Sequence, residues 1–162
     1  MSTLREYLNT PPEYAEGTIE ALQHFKAHYR EWKQGDSISF QEASEIRLGG
    51  MQTLVKAMAI AEGVVMPDVM MTDIKYGRNS GYSYYDSHSN VINMVGKLSI
   101  ITLLHEFAHA KLGRDEREMQ RWSLCLFKKV YPKAFEKLYP IENENGVFLV
   151  PEPSTSLNNP AL

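Results

Sequence analysis

Three titratable side chains stand together in the stretch Leu-Leu-His-Glu-Phe-Ala-His, with His105, Glu106 and His109 set among apolar neighbours. On a helix, residues four apart project from the same side, so both imidazoles can reach one ion while the intervening glutamate points past it. A tetrahedral zinc ion takes imidazole nitrogen at about 2.0–2.1 Å, and the pattern His-Glu-x-x-His pairs such a site with a carboxylate that can serve as general base. The alternative is an unpartnered polar cluster on the core side of a helix, which is expensive. The expected chemistry is therefore Zn²⁺-assisted hydrolysis, with His105 and His109 as ligands and Glu106 as the catalytic base.

A catalytic zinc takes three protein ligands, so a third is expected downstream. The positions three and six residues past His109 hold Leu112 and Asp115, which excludes the metzincin arrangement, and no histidine follows His109 at all. Asp115, Glu116 and Glu118 are the carboxylates in reach. Helical spacing puts Glu118 on a face with Trp122, Cys125 and Leu126, whereas Glu116 shares one with Gln120 and Ser123 and reads as solvated. Asp115 stands at a helix start and reads as an N-cap. Glu118 is the expected third ligand. Tyr82, Tyr84, Tyr85 and Tyr131 are candidates for stabilising an oxyanion.

Several elements must position these groups. Thr18 is a candidate N-cap for a helix running to about Gln34, with Leu22, Phe25, Tyr29 and Trp32 as its core stripe. Ser39 followed by Glu42 is a capping box opening a long helix that closes near Gly63, and Gly49-Gly50 in its middle predicts a kink or a close backbone approach. Residues 69–76 suit a strand, and 81–95 read as two strands around a polar loop at 86–90. Ser99 can cap the motif helix, with Gly113 as its C′ residue, and Asp115 starts a helix to about Val130, before Pro132. An amphipathic stretch at 133–139 and a strand at 147–150 follow. The fold class is α+β: helices packed around a small antiparallel sheet, with the motif on a central helix. Residues 1–17 read as an arm, 18–150 as one domain, and 151–162, rich in Pro, Ser and Asn, as a disordered tail.

The motif and the segment after it, Glu-Arg-Glu-Met-Gln-Arg-Trp-Ser-Leu-Cys-Leu-Phe (116–127), resemble the small ImmA/IrrE-like zincin metallopeptidases. In that family a helix carrying a glutamate ligand, then an apolar residue, then an aromatic residue four positions after the glutamate follows the motif. The matching positions are Glu118, Met119 and Trp122. The strand pair before the motif also resembles the SprT-like proteases, and the likeness covers about residues 69–130. It implies a zincin-like fold, peptide-bond hydrolysis, and a protein or peptide substrate, with a regulatory protein among the candidates. Two departures stand out: the link from His109 to Glu118 is short for the first family, and the third histidine of the second is missing.

Other polar residues have simpler readings. His24 and His28 share a row with Glu20 and Glu31 and read as a solvated face. His88 reads as a turn residue, Cys125 as a small buried apolar side chain, and Met66, Met70 and Met71 as core filler. The 162 residues suit one domain with a core of its own, and a single cysteine points to a cytoplasmic protein without disulfides. Seventeen basic against twenty acidic residues, a net charge of −3, argue against nucleic acid as a partner, and no segment is apolar for long enough to cross a bilayer. A metal-binding but non-catalytic protein-interaction module, and a SprT-like protease acting on DNA-bound proteins, are the alternative functions.

Overall fold

The computed structural model describes residues 8–72, 83–95, 98–143 and 146–150. The helix α1 (Glu16–His28) begins two residues before Thr18 and has Ala15 in the cap position. Thr18 is buried instead, and its hydroxyl and the Ala15 N–H both donate to the carboxylate of Glu62, which caps α1 from another helix. The helix ends at His28 rather than near Gln34. Asp36 organises the next residues into a turn, accepting from the Lys33 N–H at 2.8 Å and from Arg30 at 2.7 and 3.1 Å. Tyr29 and Trp32, expected on the helical stripe, consequently lie outside it, while Leu22 and Phe25 are buried as expected.

The Ser39 cap forms as expected, the first half of the box. Ser39 Oγ accepts from the Glu42 N–H at 3.1 Å, opening α2 (Phe40–Glu62), and Gly63 closes it at φ 69°. At Gly50 the close approach is made by a side chain rather than a backbone: a Cβ there would lie 2.7 Å from the Tyr29 ring.

The sheet has order β1-β3-β2, from β1 (Asp68–Thr72), β2 (Tyr84–Asp86) and β3 (Val91–Val95). The expected hairpin is present, with Tyr84 opposite Asn93 and Asp86 opposite Val91. The sheet is not purely antiparallel, however, because β1 runs parallel to β3 from Asp68–Val91 to Thr72–Val95. Residues 73–76, the second half of the expected first strand, lie outside the described residues. Val69, Ile92 and Met94 are buried in the core shared with the helices. Met70 falls in register with Asn93 and Tyr84 in a row across the sheet, and is 56% exposed, so it does not fill the core; neither does the exposed Met66, and only Met71 packs against it.

The motif helix is α3 (Ile100–Leu112), followed by α4 (Glu116–Val130) and the short α5 (Pro132–Glu136), which starts at the proline expected to stop α4. Ser99 occupies the N-cap position of α3 without a side-chain cap bond. A separate antiparallel pair, β4 (Tyr139–Asn143) and β5 (Gly146–Val150), contains the expected late strand. On one side α3 packs against α4 and on another against β2 and β3, while α2 packs against α1 and β1. Leu103, Leu104 and Phe107 of α3 are fully buried. Burial of each such side chain stabilises the fold by about 1.5–3 kcal/mol, which anchors the helix that carries the motif. No helix among the described residues is long and apolar enough to cross a membrane. The N-terminal arm is docked from Leu8 onward, and the 151–162 tail lies outside the described residues.

Candidate metal centre

Because Ile101, Leu104 and Ala108 are buried, the i, i+4 pair His105 and His109 lies along the rim of the core, with side chains 21% and 20% exposed. Their rings meet edge to face at 4.9 Å. Gly113 ends the helix at φ 87° and ψ −126°, a conformation that L side chains rarely adopt. Its N–H donates to the His109 carbonyl at 2.9 Å, and its own carbonyl lies 3.0 Å from His109 Nδ1. A carbonyl can only accept, so the imidazole proton sits on Nδ1 and the Nε2 lone pair is turned outward. Fixing the tautomer in this way is what a metal-ligating histidine requires of its outer partner.

Asp115 is the N-cap of α4, its Oδ1 accepting from the Arg117 N–H at 3.1 Å and the Glu118 N–H at 3.3 Å. That cap and the Gly113 bend swing Glu116, the first residue of α4, over the imidazoles. Glu116 Oε1 lies 3.3 Å from His109 Nε2, and Oε2 lies 3.4 Å from His105 Nε2. One ligand atom from each of the three residues can be chosen so that all lie within 4.8 Å of one another.

Glu118, the expected third ligand, does not join this cluster; Glu116 does. The Glu118 carboxylate accepts from Arg121 Nη2 at 3.2 Å, and Arg121 Nη1 donates to the Thr10 carbonyl at 3.0 Å. The reason lies in α4, which has two packed faces. One, carrying Met119 and Ser123, is in helical register with Glu116 and buried; Ser123 satisfies its hydroxyl within its own helix by donating to the Met119 carbonyl at 2.8 Å. The other face, carrying Trp122 and Cys125, is covered by the N-terminal arm: Tyr14 donates to the Trp122 carbonyl, and Cys125 Sγ lies 3.5 Å from the Leu8 carbonyl. Glu118 belongs to this second face.

The donor set fits a dication. Burial draws the His105 pKa below its ordinary value; the Glu116 charge opposes that shift and His109 adds to it. With its proton on Nδ1, a neutral His109 turns its Nε2 lone pair toward a Glu116 carboxylate oxygen, an acceptor-to-acceptor contact that needs a proton or a cation between. In a tetrahedral shell with ligand bonds of about 2.05 Å, neighbouring ligands stand about 3.3 Å apart. The two imidazole-to-carboxylate separations are already that long, each to its own oxygen of Glu116.

Glu106 is 7% exposed. Burial first, and then the neighbouring Glu116 charge, push its carboxyl up to about 7, against the pull of a hydrogen bond from the Tyr85 backbone N–H. That bond joins the motif helix to the edge strand β2. Neither this amide nor the Gly113 carbonyl leaves any trace in side-chain types. Glu116 left one: its i+3 and i+7 positions, Met119 and Ser123, are both small enough or apolar enough to pack.

The other candidates stand apart. The Tyr85 hydroxyl donates to Asn90 at 2.7 Å, the Tyr84 hydroxyl accepts from Asn93 at 3.0 Å, and Tyr131 stacks on Phe127 with its hydroxyl pushed up to about 12 by burial. Tyr82 lies outside the described residues. His24 and His28 stack on the exposed side of α1, His88 is an exposed turn residue, and Cys125 is buried, with its thiol pushed up by burial. Comparison with protein-family models, with curated proteins and with solved structures returned no match for this chain.

Proposed function

We propose that this chain is a zinc-dependent peptidase of zincin-like architecture, with His105, His109 and Glu116 holding the metal and Glu106 acting as general base. The reading is carried by the convergence of two imidazole Nε2 atoms on one carboxylate, at 3.3 and 3.4 Å, beside a buried second carboxylate. Zinc supplies a Lewis acid that polarises a scissile carbonyl and lowers the pKa of water.

The chain's own groups do the rest. Glu106, with a carboxyl whose pKa lies near neutrality, takes a proton from water on its carboxylate oxygen and returns it to the departing amine nitrogen. The Tyr85 N–H holds that carboxylate in place. Among the described residues β2 pairs only with β3 and packs against the motif helix, and an extended peptide added to its other side as a further strand would bring its backbone toward Glu106. Glu116, with its side chain 53% exposed, leaves the metal side open to solvent and substrate.

Replacement of Glu106 by Gln tests the reading. The variant is expected to bind zinc as the wild type does and to lose peptide cleavage; cleavage at the wild-type rate would remove Glu106 from the mechanism.

A further inference from the structure

The second site is a cleft at the other end of α2, formed where the 29–38 turn folds over the helix. It holds about 260 Å³ and is lined by Arg47, Tyr29, Trp32, Ile38 and Ile46, among others. Arg47 is 7% exposed, yet among the described residues no carboxylate lies within ion-pairing distance of it. Its Nε donates to the Leu98 carbonyl at 2.6 Å and Nη1 to the Tyr29 carbonyl at 3.4 Å, and the guanidinium sits 5.1 Å from the Phe25 ring centroid. These are neutral partners. Nη2 has no acceptor among the described residues and is not sealed from solvent, which leaves it open to the cleft.

The acids nearby are otherwise engaged or too far away. Asp36 is paired with Arg30 at 2.7 Å and also accepts from the Lys33 N–H. Glu31, which also lines the cleft, makes no ion pair with Arg47 and acts on it only through space, and burial still draws the guanidinium pKa below its ordinary value. Buried charges in proteins are paired, and Arg47 opens on the cleft with no ion-pair partner among the described residues, so an anionic group within reach of Nη2 would satisfy it. The cleft also has an apolar side: Ile38 and Ile46 are 38% and 57% exposed, an arrangement suited to a hydrocarbon group. Ser37 and the Arg30–Asp36 pair make the facing wall polar. The volume is too small for a long acyl chain.

We propose that this cleft binds the C-terminal residue of a peptide ending in a branched apolar side chain, its carboxylate on Arg47 and its side chain against Ile38 and Ile46. Nη2 is the guanidinium nitrogen left to donate to a carboxylate oxygen, and the guanidinium charge sets the preference for an acid over its amide.

Trp32 lines the cleft and supplies a reporter, since its indole N–H donates to the Ile38 carbonyl at 3.0 Å. The full chain, without added metal, is titrated with N-acetyl-leucine, N-acetyl-leucinamide and isovalerate, while the Trp32 indole resonance is followed by NMR. We expect saturable shifts with N-acetyl-leucine and at least roughly tenfold weaker binding of the amide, as loss of a charge-assisted hydrogen bond implies. Arg47→Met should abolish the preference for the acid. Should that variant fail to fold, Ile46→Ser, at an exposed position, should still weaken N-acetyl-leucine binding several-fold. Absence of a saturable shift, equal affinity for acid and amide, or an unchanged affinity in Ile46→Ser overturns the assignment; equal affinity for isovalerate overturns the peptide terminus as occupant.

Discussion

Exchanging single carboxylates for amides separates the two acids at the start of α4. Glu116→Gln keeps the side chain's shape and removes the charge that faces both Nε2 atoms at 3.3 and 3.4 Å. Because the Glu116 side chain is 53% exposed, the attraction is screened by water. With the full dielectric of water, a unit charge and a dication about 2.1 Å apart attract by roughly 4 kcal/mol, and an amide oxygen that still touches the metal recovers part of it. A loss of about 3–4 kcal/mol corresponds to roughly a hundred- to thousandfold weaker zinc binding. Glu118→Gln disturbs the contact with Arg121 and the arm at Thr10, so the zinc affinity should stay within about twofold of the wild type. Competition titration against a chromogenic chelator measures both, with thermal melts of the metal-free variants as a check on folding. A thousandfold loss in Glu118→Gln beside an intact Glu116→Gln would refute the placement of α4 over the motif.

Further outcomes follow from the packing. Loss of the proton acceptor in Glu106→Gln should lower peptide cleavage by about 10²–10⁴-fold in a fluorogenic assay, with the zinc content unchanged. Gly50→Ala drives a methyl to 2.7 Å from the Tyr29 ring, which is stacked on Phe25, and should cost about 1–3 kcal/mol in urea denaturation. Gly49→Ala, where a Cβ meets nothing within 4 Å, should instead stabilise α2 by up to about 1 kcal/mol. Glu62 gives a pH signature. Burial opposes its ionisation, but bonds from Thr18, Ala15 and Lys111 outweigh burial and hold its pKa below the ordinary 4.5. Its contribution is therefore complete above pH 4.5 and lost as the pH falls through the lower folded value. Glu62→Gln should melt earlier than the wild type at pH 7, by about 1–3 kcal/mol, with the gap closing below pH 4.5.

What could be read in the sequence was what neighbours in the chain decide. The Ser39–Glu42 box, the closing glycines 63 and 113, the Asp115 cap and the hairpin around 86–90 are all local devices, and each is where its residues put it. His105 and His109 needed only the geometry of one helix. The choice between Glu116 and Glu118 was different in kind, because α4 is buried on two faces by two different parts of the chain. The spacing from Glu118 to Trp122 and Cys125 did mark a packed face, but that face meets the arm at Leu8 and Tyr14 as well as Phe107 of α3, and the Glu118 carboxylate there bonds Arg121 rather than the imidazoles. Ser123 disguised the other face, since a hydroxyl bonded to its own helix looks polar in sequence and packs as if apolar. The early end of α1, its cap by Glu62 and the parallel pairing of β1 with β3 all depend on partners far along the chain. The end of α1 yields to Asp36, whose grip on Arg30 and Lys33 outweighs the helical spacing of Tyr29 and Trp32.

The most direct test is zinc stoichiometry by elemental analysis, on protein purified without chelators, supplied with zinc and then desalted. One zinc per chain in the wild type, with none retained by a His105→Ala/His109→Ala double variant that still melts cooperatively, is the result expected of the site at the junction of α3 and α4. A wild type that holds no zinc, or a double variant that holds as much as the wild type, would contradict it.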